Sequence, residues 1–203
     1  MKPTKTYFTS DWHLFHERAI EMDNRPFRDL DHMHEVLVNN YNSTVGPDDV
    51  CYMLGDLGMG PVEPIREIIQ ALQGTKIYIL GNHDRGANAL YRMGFDVVQN
   101  AALIYVAGQP VTLSHCPLRG VWREDTTNMR NHREGDMWHG ESRHVRYSIP
   151  DFGQFHLHGH IHSPNKGRSE TVLGKQRDIA VPANNYRPVS ISLIESWITK
   201  YKG

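Results

Sequence analysis

The sequence predicts a protein of the α/β class. Strand-length apolar runs alternate with segments that carry a helical stripe, and run after run stops at a Gly followed by Asp, Asn or His. A third observation sharpens the first two. The polar residues sit just beyond the carboxyl ends of the expected strands, which is where open α/β sheets bind their ligands.

Residues 5–11 (KTYFTSD) read as the first strand. A helix is expected over 31–45, because Met33, Val36, Leu37 and Tyr41 share a face. The run at 48–56 has strand length and stops at Gly55-Asp56. Residues 61–74 open with prolines, close on Gly74 and carry a stripe of Ile65, Ile68, Ile69 and Leu72, which predicts a second helix. Residues 76–84 (KIYILGNHD) form another strand with a polar end, and a short helix over 87–92 is stopped by Gly94. Residues 103–115 read as a hairpin turning at 108–110 and ending at His115. Strand patterns return at 154–159, 177–181 and 189–193, and a terminal helix is expected over 194–200.

Between them, residues 119–151 are crowded with charge and lack periodicity. They are expected to form a long loop or lid inserted in one domain that spans 1–203. Arg119, Arg123, Arg130, Arg133, Arg143 and Arg146 stand there with Trp122 and Trp138, a mixture suited to gripping phosphate and stacking on bases. Five nearby carboxylates (Glu124, Asp125, Glu134, Asp136 and Glu141) support the plainer reading of a solvated loop.

Composition narrows the function. The formal net charge of −1 gives no global field for nucleic acid, although the lid arginines could supply a local groove. The amino terminus has no apolar signal segment, and no apolar run approaches the roughly 18 residues that span a bilayer. With Cys51 and Cys116 read as free thiols, the expectation is a cytoplasmic protein with no membrane partner. Thirteen histidines in 203 residues require an explanation. The segment HLHGHIH (156–162) places four at a spacing of two. In an extended strand that spacing would put them on one face, where a metal ion would relieve both their repulsion and the cost of burying them unpaired.

The strand ends gather Asp11, His13, Asp56, Asn82, His115, His160 and His162. Mixed oxygen and nitrogen donors suit Mn, Fe, Co, Ni or Zn, and seven ligands fit two ions that share a carboxylate. The ordered set Asp11-x-His13, Gly55-Asp56, Gly81-Asn82-His83-Asp84, His115 and Gly159-His160-x-His162 resembles the calcineurin-like metallophosphoesterases, and the opening FTSDWHLFH with Arg25-Pro26-Phe27 resembles their small bacterial and phage members.

That resemblance implies a four-layer α/β/β/α sandwich with two mixed β-sheets and two divalent cations, Mn first among them. Asp11, His13 and His162 would hold one cation, Asn82, His115 and His160 the other, and Asp56 would bridge. His83 would be the general acid, oriented by Asp84; the alternative for Asp84 is a turn or cap role. Arg25, Arg85 and His16 are candidates for substrate contact, against a buried anchor for Arg25 and a surface ion pair for Arg85. The activity implied is hydrolysis of phosphomono- or phosphodiesters in a bacterial or phage-encoded protein, on a small phosphorylated substrate such as a nucleotide. A nuclease, a nucleotide pyrophosphohydrolase and a non-catalytic binding scaffold are the alternatives.

Overall fold

In the computed structural model the described residues are 3–118, 146–162 and 175–201. The elements are β1 (Thr6–Thr9), α1 (Glu17–Met22), α2 (Leu30–Asn42), β2 (Val50–Leu54), α3 (Val62–Gln70), β3 (Thr75–Ile79), α4 (Ala87–Met93), β4 (Val97–Gln99), β5 (Ala102–Val106), β6 (Gln109–Leu113), β7 (Phe155–His158), β8 (Gln176–Asp178), a 3-10 turn (Val181–Asn184), β9 (Val189–Ser190) and α5 (Ile191–Lys200). Most of the expected lid, residues 119–145, lies outside the described residues. Its last part folds back on the body: Tyr147 O accepts from Cys116 N at 2.9 Å, and Tyr147 packs on the core.

The strands form two mixed sheets. The first has the order β4-β3-β2-β1-β9, with β9 antiparallel to β1 and the other pairs parallel. The second has the order β5-β6-β7-β8, in which the β5–β6 hairpin is antiparallel and the remaining pairs are parallel. Ala107 and Gly108 both have positive φ at the hairpin tip, 49° and 71°, which suits the right-handed twist of the flanking strands.

Alternation along the first three strands builds two cores. Tyr7, Cys51, Met53 and Tyr78 meet Met33, Leu37 and Tyr41 of α2, Ile65 and Ile69 of α3, and Leu90 and Met93 of α4. Their neighbours Phe8, Leu54 and Ile79 face Val111, Leu113, Phe155 and Leu157 of the second sheet, with Ile194 and Ile198 of α5 in the same cluster. Helices therefore cover one face of the first sheet, and the two sheets pack against each other across its other face. The described residues do not define a further layer on the outer face of the second sheet.

Several differences from expectation have local causes. Ser190 caps α5, accepting a bond from Leu193 N at 3.4 Å, so the helix starts at Ile191 and the strand before it shrinks to two residues. The chain after Asp178 turns into a 3-10 helix with Pro182 in its first turn instead of continuing as a strand. Helix α1 and strand β4 are too short to show periodicity and were not expected. No described helix is long and apolar enough to cross a membrane.

His156 and His158 point away from the intersheet core and are fully buried. The Nε2–H of His156 donates to Cys116 O at 3.2 Å, while Nδ1 lies 2.9 Å from Thr112 Oγ1. Burial drives the His156 imidazole down to about 3, with the neighbouring His158 adding to the effect. The folded state thus holds a neutral ring while the unfolded chain takes up its proton near the ordinary value of 6.5. Stability from this group is complete above pH 6.5 and is lost as pH falls toward 3. His156→Gln should flatten the acid limb: between pH 6.5 and 4.5 the thermal midpoint of the variant should fall less than that of the wild type.

Candidate metal centre

The seven candidate ligands come from the carboxyl ends of five strands. Beyond β1 and β2 the backbone pairing continues: Asp11 N donates to Gly55 O at 3.1 Å, His13 N to Asp56 O at 3.1 Å and Leu14 N to Leu57 O at 2.8 Å. To make these turns, Asp11, His13, Asp56, His160 and His162 all adopt left-handed backbone, with φ of 59°, 52°, 54°, 71° and 46°. Asp and His tolerate this region better than most residues, but each turn still costs about 1–2 kcal/mol. Five such residues in one place match the clustering of strain at functional sites. Gly159 is required for a different reason. A Cβ there would strike the side chains of Asp11 and Ser10, so only glycine lets the β7 turn lie against the Asp11 carboxylate. In that position His160 N donates to both Asp11 oxygens, at 3.1 and 3.0 Å.

The donor atoms converge on two centres. At the first, His162 Nε2 lies 3.0 Å from Asp11 Oδ1 and 3.1 Å from His13 Nε2. At the second, His115 Nε2 lies 2.9 Å from Asn82 Oδ1 and 3.1 Å from His160 Nδ1. Asp56 joins them, with Oδ2 3.8 Å from His13 Nε2 and Oδ1 3.4 Å from His115 Nε2. Metal–ligand bonds of about 2.0–2.2 Å separate neighbouring donors around one ion by roughly 2.8–3.6 Å, and most of these distances fall in that range.

Hydrogen positions support the same reading. His115 Nδ1 donates to Leu54 O at 2.8 Å, and His162 Nδ1 donates to Asp23 Oδ1 at 2.9 Å. In each neutral ring the Nε2 atom is then a lone pair aimed at oxygens and other ring nitrogens. Such a ring of acceptors needs protons or a metal ion to relieve it. Burial favours the neutral imidazole, yet Asp11 and Asp23 hold His162 up to about 10, and Asp56 and Asp11 hold His115 up to about 9. Burial raises the carboxyls of Asp11 and Asp56, but the imidazoles of His162 and His115 overcome it and leave both low, Asp56 at about 2. His13, by contrast, is driven down to about 4 by burial. The cluster demands positive charge, which divalent ions would supply by displacing the two protons. The donor set therefore fits a pair of cations.

The four histidines of 156–162 do not share a face. The strand ends at His158, and the turn at Gly159 sends His160 and His162 into the centre while His156 and His158 remain on the sheet. Cys116, read from sequence as a small core residue, has its sulfur within 4.8 Å of the ligand atoms of His115 and His160. Burial raises its thiol pKa.

His83 is exposed on the rim of a cavity of about 750 Å³ that His13, Asp56, His160 and His162 also line. Its ring centre is 6.3 Å from that of His13, and its backbone N donates to Asp56 Oδ1 at 3.1 Å. His16 lines the same cavity.

Two candidates make the contacts of the alternative role weighed for each. Asp84 does not orient His83. Its carboxylate accepts from Gly81 N at 2.6 Å, Asp56 N at 3.1 Å, Leu57 N at 3.0 Å and the Tyr78 hydroxyl at 2.8 Å, and no hydrogen bond joins it to His83 among the described residues. It ties the β3 turn to the Asp56 turn, and burial next to Asp56 raises its carboxyl to about 6. Arg25 is buried behind the centre and does not reach the cavity. It donates to Asp11 O at 3.1 Å and Trp12 O at 3.0 Å and pairs with Asp23 at 2.8 Å. Arg85 donates to Gly60 O at 2.6 Å, away from the ligands.

The residue that sequence reasoning missed is Asp23. It grips His162 through one oxygen and Arg25 through the other, linking the first motif to the last. Its signal was faint: a lone Asp two residues before Arg25.

Fold and site together define an α/β protein with a buried cluster of histidines and carboxylates whose donor atoms lie close enough together that they could hold a metal ion. No family model matches the chain. It is 35% identical over 180 residues to the gene 66 protein of Mycobacterium phage L5, a match covering 79% of each chain, and it belongs to the same family as that phage protein. An uncharacterized protein of Methanocaldococcus jannaschii is 28% identical over 206 residues, covering 100% of this chain and 96% of the relative. Among solved structures, a protein of unknown function from Aquifex aeolicus shares the fold, with a TM-score of 0.68 at 24% identity over 96% of this chain and 99% of that one.

Partners that orient a ligating imidazole typically contribute 10–100-fold to metal affinity. If the cluster binds a divalent metal, Asp23→Asn should weaken that binding by about this factor in calorimetry with added Mn.

Proposed function

We propose that this protein is a metal-dependent phosphoesterase that hydrolyses phosphomono- or phosphodiester bonds at a pair of divalent cations. The observation that carries this reading is the Asp56 carboxylate. Its two oxygens face two separate nitrogen clusters, 3.8 and 3.4 Å away, as a shared ligand requires. The ordered motifs that resemble the calcineurin-like metallophosphoesterases support it, and so do the paired sheets with helices on one outer face, three layers of the four-layer α/β/β/α sandwich those enzymes have.

Asp11, His13 and His162 would hold one cation and Asn82, His115 and His160 the other, with Asp56 common to both. Mn suits the mixed donors best, with Fe, Zn, Ni and Co as alternatives. Such cations would supply Lewis acidity, lowering the pKa of water and offsetting charge on phosphoryl oxygens. The chain's own groups do the rest. Asp23 and Leu54 O fix the ring orientation of His162 and His115. Asp84 and Arg25 fix the backbone under Asp56 and Asp11. His83, which lines the cavity beside His13, would serve as the general acid that protonates the departing oxygen.

The first test is hydrolysis of bis-p-nitrophenyl phosphate with added Mn, abolished by chelator and restored by metal. No turnover with any of several divalent metals would favour a binding scaffold. Asp56→Asn should lower kcat at least about 1000-fold and reduce bound metal as measured by mass spectrometry. His83→Ala should retain its metal and slow esters with poor leaving groups far more than p-nitrophenyl esters. Equal slowing of both would assign His83 to substrate binding instead.

A further inference from the structure

The turn after the first motif carries backbone strain that the ligands alone do not explain. Phe15, which is no ligand, has φ of 57°, two residues after His13 at 52°. Left-handed backbone is rare at a bulky residue and persists only where the surroundings hold it. Here they do. Phe15 N donates to His34 Nε2 at 3.0 Å, and its ring centre lies 4.4 Å from that of His34. Leu14 N donates to Leu57 O at 2.8 Å, and Leu14 O accepts from Met59 N at 3.0 Å.

The strained turn folds His16 back over His13. His16 N donates to His13 O at 3.1 Å, the two ring centres are 5.4 Å apart, and the two Nδ1 atoms meet at 3.4 Å. His16 also stands at the N-cap of α1, where Ser, Asp or Asn usually accept from the helix backbone, yet its side chain makes no capping bond. Its imidazole is turned to His13 instead.

The contact has a direction. Two ring nitrogens this close cannot both carry hydrogens, and two lone pairs would repel. The Nε2 atom of His13 is turned to the centre, 3.1 Å from His162 Nε2 and 3.8 Å from Asp56 Oδ2. A neutral imidazole ligates through a lone pair and carries its hydrogen on the other nitrogen. With a cation at His13 Nε2, the hydrogen is on His13 Nδ1, and His16 Nδ1 is the acceptor. His16 then carries its own hydrogen on Nε2. Leu54 O and Asp23 already accept from His115 and His162 in the same way.

We propose that His16 is a positioning residue, accepting from His13 Nδ1 and so aiming the His13 lone pair at the first cation. The proposal rests on the paired-cation reading of the centre and not on the phosphoester chemistry.

Mn affinity is measured calorimetrically for the wild type, His16→Ala and His16→Asn. Asn keeps an acceptor close to the place of Nδ1, whereas Ala has none. His16→Ala should weaken Mn binding about 10–100-fold, and His16→Asn should return it to within about threefold of wild type. In the Zn-loaded protein, nitrogen-15 spectra of the histidine rings should show His13 as the Nδ1–H tautomer and His16 as the Nε2–H tautomer. Unchanged Mn affinity in His16→Ala, an Asn variant as weak as Ala, or a hydrogen on His16 Nδ1 overturns the proposal. A wild-type protein that takes up no divalent cation overturns it together with the paired-cation reading. If the affinity losses and the tautomers appear as expected while no phosphoester is hydrolysed, the phosphoesterase reading falls and the role of His16 stands.

Discussion

The structure is organised around an electrostatic demand: buried oxygens and ring nitrogens crowd together with too little positive charge among them. Asp11 and Asp56 are almost fully buried, and the nearest cationic side chain, Arg25, is engaged by backbone carbonyls and Asp23. Carboxylates sealed from water must be paired or coordinated. Without a cation, His115 and His162 retain protons for this purpose, held up to about 9 and 10. Every other feature of the site either maintains this crowding or gives access to it.

Maintaining it costs conformational energy that must be offset elsewhere. Left-handed backbone at five ligands survives because the turns are fixed from both sides. The ladder between the β1 and β2 extensions holds Asp11, His13 and Asp56, the Asp84 carboxylate clamps the Asp56 turn from below, and Gly159 lets the β7 turn close over Asp11. The packed sheets beneath are rigid enough to carry that strain, and this explains why the ligands sit at strand ends and not on long loops.

Much of this was legible in the sequence, for identifiable reasons. Apolar runs and helical stripes located β1, β2, β3, α2, α3 and the β5–β6 hairpin to within a few residues, because each buries one face against a core. The seven candidate ligands could be picked out because each follows the end of such a run, and linear order is enough to place a strand end. What failed to show were matters of partnership. The resemblance implied that Asp84 orients His83, with a turn or cap role as the alternative. In space its oxygens are filled by the backbone of Asp56 and Leu57 and by Tyr78, more than 20 residues away or across a turn. Arg25 was weighed as a substrate contact against a buried anchor, and its side chain turns inward to carbonyls of the first motif. Asp23 escaped notice because its two partners lie 2 and 139 residues away, and no local pattern encodes the longer separation. The spacing of HLHGHIH gives one face only in an extended strand, and the turn that Gly159 permits, with left-handed backbone at His160 and His162, breaks it.

The two sheets contribute unequally to the centre, and this ties the site to the fold. Asp11, His13, Asp56 and Asn82 leave the first sheet, while His115, His160 and His162 leave the second. Each cation would take ligands from both, since His162 meets Asp11 and His13, and His115 meets Asn82. Beneath the centre the sheets are joined by the apolar contacts of Phe8, Leu54, Val111, Leu113 and Leu157, which are non-directional and fix spacing better than register. Directional bonds across the top are what hold one strand end opposite another. Because the ligands assemble only in the folded chain, cation binding would add its free energy to the folded state. Any ion bound there would thus also hold the two sheets in register.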